Sequence, residues 1–127
     1  MQMIAQVSGV VVAGKKLGRA IGFPTINVDV SGSALPADGV YIGEAAFHGQ
    51  TRPCLIHQGY QPTLPSGERR VEAHILDFDG DLYGAAVALT YIKLLRAERK
   101  FASGEELAIQ LTSDVAAARA WFKLFNA

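Results

Sequence analysis

Val40-Tyr41-Ile42-Gly43-Glu44-Ala45-Ala46-Phe47-His48-Gly49-Gln50-Thr51-Arg52-Pro53-Cys54-Leu55-Ile56-His57 holds two apolar runs, Val40 to Phe47 and Pro53 to His57. The cluster His48-Gly49-Gln50 between them is rich in residues that accept a turn. The same texture extends in both directions. Runs at Ile4 to Val12, Ile26 to Val30, Arg70 to Phe78 and Tyr83 to Leu95 are divided by Ser31-Gly32-Ser33, Pro36-Ala37-Asp38-Gly39, Pro65-Ser66-Gly67 and Asp79-Gly80. Asp79-Gly80, between two apolar runs, favours the type I′ turn of a tight hairpin. Five or six strands without intervening helices imply an antiparallel sheet, and closure into a small barrel removes its edges. Pro53 cannot donate to a ladder, so it is expected to start its strand or to sit on an edge.

After Ser103 the periodicity changes. Leu107, Leu111, Val115, Ala118, Phe122 and Phe125 recur at steps of three and four, which places them on one stripe of a helix. Ser103 and Glu106 fit a capping box, Glu105 and Glu106 suit the positive end of the helix dipole, and Lys123 suits the other end. One domain over 1–127 is expected, with a barrel over about 3–97 and a helix over about 103–125 packed on it.

The 127 residues carry 12 Lys+Arg and 12 Asp+Glu, so wholesale wrapping by nucleic acid or anionic lipid, which draws on a basic excess, is not expected. A single cysteine, Cys54, excludes a disulfide framework and a CxxC metal knuckle, and reads as a small buried hydrophobe. Met1 to Gly14 is too short for a membrane span and lacks the cationic start of a signal peptide, so a cytoplasmic location is expected.

Three segments can carry chemistry. Gly14-Lys15-Lys16-Leu17-Gly18-Arg19-Ala20-Ile21-Gly22-Phe23-Pro24-Thr25-Ile26-Asn27 joins glycines that let backbone N–H groups approach an anion to cations that offset its charge. It lacks the Walker A pattern, and it reads equally as a solvated turn. Three glycines and a proline make a poor helix in water. Thr25 and Asn27 share one face of an extended strand, which suits Mg²⁺ or, alternatively, hydrogen bonds within a turn.

In Arg69 to Phe78, alternation puts Glu72, His74, Leu76 and Phe78 on one face and Val71, Ala73, Ile75 and Asp77 on the other. Glu72 can take a proton from a hydroxyl, or pair with Arg69, Arg70 or another cation on the surface. His74 reads as a satisfied structural histidine, with no second His at metal-ligand spacing. Leu95 to Phe101 is a charged bridge into the helix, and Phe101, Trp121 and Phe125 offer either an aromatic wall for a planar ligand or core packing.

The order of these signals is more specific than any one of them. Gly9-x-Val11-x-x-Gly14, Gly18-Arg19-x-x-Gly22-Phe23-Pro24-Thr25-x-Asn27, Gly39-Val40-Tyr41, Gly59-x-x-Pro62-Thr63, Glu72-x-His74-x-Leu76-Asp77-Phe78, Asp81-Leu82-Tyr83-Gly84, Arg96 and Lys100-Phe101 resemble the riboflavin kinases across nearly the whole chain. In particular, the chain resembles the kinase module of bacterial bifunctional riboflavin kinase/FAD synthetases. The resemblance implies a mainly β fold, a six-stranded antiparallel Greek-key barrel with a C-terminal helix. It implies transfer of the ATP γ-phosphate to the ribityl 5′-hydroxyl of riboflavin, giving FMN and ADP, with Mg²⁺ as cofactor.

By the same resemblance, Glu72 is the general base, and Thr25 and Asn27 hold the metal. Gly14, Lys15, Lys16, Gly18, Arg19, Gly22, Pro24, Thr25 and Asn27 contact the nucleotide, and Arg96 and Phe101 border the flavin. His57-Gln58 departs from the family's usual Asn or Ser followed by Ile, which motivates the alternative of a non-catalytic flavin- or nucleotide-binding module. An oligonucleotide-binding barrel is a third reading, disfavoured by the zero net charge. The expected partners are riboflavin/FMN and ATP/ADP, with neither nucleic acid nor membrane. A monomer is expected, joined to or partnered with an FAD-forming adenylyltransferase. FAD synthesis itself is not expected of these residues, whether they stand alone or form one domain of a longer chain.

Overall fold

The computed structural model describes residues 3–14, 17–60 and 69–125. Six strands, β1 (Ala5–Val12), β2 (Ile26–Asp29), β3 (Gly39–Phe47), β4 (Gln50–Tyr60), β5 (Arg69–Ile75) and β6 (Ala86–Arg96), accompany two helices, α1 (Leu17–Ala20) and α2 (Gly104–Phe125). The strands close into a barrel in the order β1-β2-β5-β4-β3-β6, and every neighbouring pair is antiparallel. Strands β3, β4 and β5 form a meander, and β6 returns to lie beside β3, which is a Greek key.

Period-two patterning builds two cores from one sheet. Tyr41, Ala45, Phe47, Cys54, Ile56, Val71, Ala73, Ile75, Val87, Leu89 and Tyr91 fill the barrel. Their alternating neighbours Val40, Ile42 and Leu55 lie on the outer face with Leu76 and Ile92, covered by Ala118 and Phe122 of α2. Burying each large aliphatic side chain is worth about 1.5–3 kcal/mol, so the helix-covered outer face contributes to stability alongside the interior. Burial also pushes the Cys54 thiol far up, in keeping with an inert core residue.

The tight hairpin lies at His48-Gly49, where Phe47 pairs with Gln50 and both loop residues have positive φ, 47° and 76°. That is the geometry a type I′ turn demands. The hairpin expected at Asp79-Gly80 does not form. Strands β5 and β6 are not neighbours in the barrel, and the chain between them crosses from one side to the other. The strand expected over Arg70 to Phe78 stops at Ile75 because Asp77 is left-handed, at φ 55°. The strand expected from Tyr83 begins at Ala86, since the Asp81 carboxylate accepts from the Tyr83 N–H at 2.9 Å and Gly84 turns at φ 83°.

Pro53 lies inside β4 rather than at its start, but on a local edge. Its carbonyl accepts from the Leu76 N–H at 3.0 Å, just past the end of β5. Carbonyl and amide of one strand residue point the same way, so the missing N–H faces a flank where the ladder has ended.

Helix α2 starts as its sequence requires. Ser103 Oγ accepts from the Glu106 N–H at 3.2 Å, and the Glu106 carboxylate reaches back to the Ala102 N–H at 3.1 Å. Leu111, Ala118 and Phe122 are buried, with Leu107 and Val115 half-buried beside them. Phe125 leaves the stripe: it is 57% exposed and packs on Trp121, ring centroids 4.5 Å apart. The helix is also pinned electrostatically. Arg96 Nε lies 3.1 Å from both carboxylate oxygens of buried Asp114, and Nη2 lies 2.9 Å from Oδ2.

Candidate active site

Strand β2 is short, and its outward position Asn27 is buried, at 9% exposure. The cause is Gly14: a Cβ there would overlap the Asn27 carboxamide, so only glycine lets the backbone after β1 close over this side chain. Gly14, Arg19, Thr25 and Asn27 line one cavity of about 490 Å³ together with Asp81 and Tyr83. The segment between β1 and β2 is not wholly loop, because Gly18 and Arg19 fall in the single helical turn of α1. Gly22 ends that turn at φ 88°, its N–H donating to the Arg19 carbonyl at 3.3 Å. Pro24 stands at the mouth of a small cleft with Arg19 and Thr25. Its carbonyl accepts from His74 Nδ1 at 2.8 Å, which gives His74 the structural role read from the sequence. Lys15 and Lys16 lie outside the described residues.

Across the ladder, Asn27 is directly opposite Glu72 on β5, and Glu72 is directly opposite His57 on β4. Glu72 opens into a second cavity, about 380 Å³, which also holds His57, Arg70, Arg96 and Phe101. Val71, Ala73 and Ile75 point into the barrel, so Glu72 stands on its outer wall, in the cleft beside α2 rather than in the interior. Desolvation raises the Glu72 pKa above the usual carboxylate value, and the Arg70 guanidinium, 3.3 Å away, opposes that rise.

The flavin-side candidates meet here. Arg96 and Arg99 lie over the Phe101 ring, at 5.8 and 4.7 Å from its centroid. Of the three aromatics considered for a ligand wall, Phe101 lines this cavity and Trp121 and Phe125 do not. Gly14, Arg19, Thr25 and Asn27 therefore line one cavity and Glu72, Arg96 and Phe101 another, with Asn27 and Glu72 as ladder partners between them, while Pro24 lines only the small cleft.

The unusual pair His57-Gln58 splits by strand alternation. Gln58 points inward, where its amide donates to the Pro36 carbonyl at 2.7 Å and its carbonyl accepts from Tyr91 Oη at 2.9 Å. It is a barrel residue. His57 points outward with both ring nitrogens buried and without a hydrogen-bond partner. Burial, then the nearby Arg96, pushes its pKa down to about 4, with Asp114 opposing and His74 adding, so the ring is neutral at pH 7.

Arg70, Asp81 and Tyr83 received no site role from the sequence. Arg70 is visible there as a cation two positions from Glu72, but its direction depends on the strand's twist and register. Asp81 and Tyr83 reach the cavity lined by Gly14, Arg19, Thr25 and Asn27 because the β5–β6 connection crosses the barrel end.

The riboflavin kinase family model, described as "Flavokinase: Riboflavin kinase", matches residues 1–122. The chain belongs to the riboflavin kinase family. A bifunctional riboflavin kinase/FMN adenylyltransferase from Pseudomonas fluorescens is 40% identical over 116 residues, which cover 91% of this chain and 37% of that protein. The chain thus spans little more than a third of that relative. A solved structure named as a macrolide-efflux protein from Streptococcus pneumoniae matches with TM-score 0.84 and 34% identity, over 91% of this chain and 38% of its own. A riboflavin kinase from Trypanosoma brucei shares the fold, with TM-score 0.65 and 21% identity over 97% of this chain and 82% of its own. Within the riboflavin kinase family, then, the closed barrel and the capped helix α2 are the frame that positions the two cavities.

Proposed function

We propose that this chain is an ATP-dependent riboflavin kinase, transferring the γ-phosphate of ATP to the ribityl 5′-hydroxyl of riboflavin to give FMN and ADP. The observation that carries this reading is the direct cross-strand opposition of Asn27 and Glu72, with a separate cavity on either side. Phosphoryl transfer asks chiefly for alignment and charge neutralisation; two paired strands supply the alignment, and neutralisation falls to a metal ion and nearby cations.

Glu72 is the general base. It accepts the proton of the ribityl hydroxyl as the new O–P bond forms and the bond from Pγ to the β–γ bridging oxygen breaks, a role typically worth about 10²–10⁴ in rate. Gly14, Gly18, Arg19, Gly22, Pro24, Thr25 and Asn27, with Lys15 and Lys16, form the nucleotide side. Arg96 and Phe101 border the planar, neutral flavin, for which an apolar wall with few polar groups is sufficient.

The donor set fits Mg²⁺. Thr25 and Asn27 offer neutral oxygens on neighbouring outward positions, and the glycine at position 14 leaves the Asn27 carboxamide its space. Bound there, the ion neutralises phosphate charge and orients the γ-phosphate. Cytoplasmic action as a monomer, with FMN passed to an adenylyltransferase, completes the reading.

Incubation of the protein with riboflavin, ATP and Mg²⁺, followed by chromatography, tests it directly. FMN is expected from the wild type. Tight riboflavin or ADP binding with no FMN overturns the kinase in favour of a binding module.

A further inference from the structure

Glu72 must work as a carboxylate beside a polyphosphate, so a cation is needed between two anionic groups. The described cations near the two cavities are not equivalent. Arg96 is committed to buried Asp114 through both Nε and Nη2. Arg99 lies over Phe101 and donates to Gln110 at 3.2 Å. Arg19 is exposed, on the nucleotide side.

Arg70 differs from all three. It shares the outer face of β5 with Glu72, and its Nη1 reaches Glu72 Oε1 at 3.3 Å. That contact is single and longer than the roughly 2.7–2.9 Å of a strong charge-assisted bond, so the guanidinium is not locked in a fork. Directly opposite Arg70 on β4 stands Gly59, and the Glu98 carboxylate occupies the space that a Cβ at Gly59 would take, so a second carboxylate borders this cavity beside Glu72. Arg70 also lines a third cavity, of about 430 Å³, that Asn27 lines too, so it reaches from the Glu72 cavity to the flank of Asn27, though not into the cavity of Arg19 and Thr25.

We propose that Arg70 is a catalytic cation that donates to the transferring phosphoryl group, placed between Glu72 and the nucleotide. This rests on the kinase reading above. As the ribityl oxygen attacks Pγ, its proton passes to Glu72, the bond to the ADP oxygen breaks, and negative charge spreads over the equatorial oxygens of the phosphoryl group. The guanidinium turns its unused N–H groups to those oxygens while Nη1 keeps Glu72 aimed at the hydroxyl. An arginine meeting transition-state charge in this way is worth about 10³–10⁵ in the rate of nucleotide triphosphatases.

Steady-state kinetics of wild type, Arg70→Gln and Arg70→Lys test the proposal, with circular dichroism confirming the fold of each. For Arg70→Gln, kcat is expected to fall at least about 100-fold while KM for riboflavin and for ATP stays within about threefold. Arg70→Lys keeps the charge and is expected to recover part of that loss. Binding of ADP with Mg²⁺ and aluminium fluoride, in the presence of riboflavin, gives a second readout. It should weaken at least tenfold in Arg70→Gln, with affinity for ADP alone unchanged.

A kcat within threefold of wild type, or a rise in KM alone, overturns the role. So does equal weakening of ADP and of its aluminium fluoride complex. If wild type itself makes no FMN, it is the kinase reading that fails.

Discussion

His57 holds a neutral imidazole with two unpartnered nitrogens against the wall that carries Glu72. Its folded pKa, about 4, lies below the ordinary 6.5, so the unfolded chain binds the proton more readily. The linked protonation therefore costs no stability above about pH 6.5, and stability is lost as pH falls from there through about 4. Denaturant unfolding at pH 7 and pH 4.5 should show wild type losing about 2 kcal/mol more than His57→Gln over that interval. Equal losses would contradict a buried neutral ring. At Gly14, substitution by Ala forces a Cβ into the Asn27 carboxamide. The expected result is a fall in kcat/KM for ATP of at least about tenfold, from misplacing a positioning group, with riboflavin affinity unchanged. Neither effect was legible in the sequence. There Gly14 reads as a nucleotide-contacting glycine and His57 as a departure from the family pattern, because which atoms meet is decided by packing between distant segments.

Individual elements were easier to read than their connections. The alternation that drives Val71, Ala73 and Ile75 inward and Glu72 outward is local, and so is the Ser103–Glu106 cap. Ser103→Ala should cost about 1 kcal/mol, seen as a lower denaturant midpoint with an unchanged m-value. Asp114→Ala leaves Arg96 partly buried without its partner and should cost about 3–5 kcal/mol. A loss smaller than that of Ser103→Ala would show that the pair does not hold α2 to the barrel. The Asp79-Gly80 hairpin failed for a physical reason. A two-residue turn joins only strands that are ladder neighbours, and neighbourhood in a closed Greek key is a long-range property. His48-Gly49 has the weaker local signal but joins true neighbours.

For the whole molecule, closure of the barrel and the covering helix were both expected from strand patterning and the stripe on α2. The juxtaposition of Asn27 with Glu72 was not derivable from either, since it depends on β2 pairing with β5 across intervening β3 and β4. The resemblance to riboflavin kinases implies the roles proposed for those two residues, and the register gives a reason for them to act together. Because the two residues are ladder partners, each lining a different cavity, loss of either should abolish turnover by removing a different requirement. The effects of such a coupled pair should be far from additive.

The most direct test is FMN formation by wild type, Glu72→Gln, Asn27→Ala and the double variant, with riboflavin binding followed in parallel by flavin fluorescence. The account predicts FMN from wild type and a loss of at least about 100-fold in each single variant. It also predicts a double variant little worse than either single one, and riboflavin bound by Glu72→Gln. Full activity in Glu72→Gln, or losses in the two single variants that simply multiply in the double, would contradict a transfer site built on the Asn27–Glu72 pair.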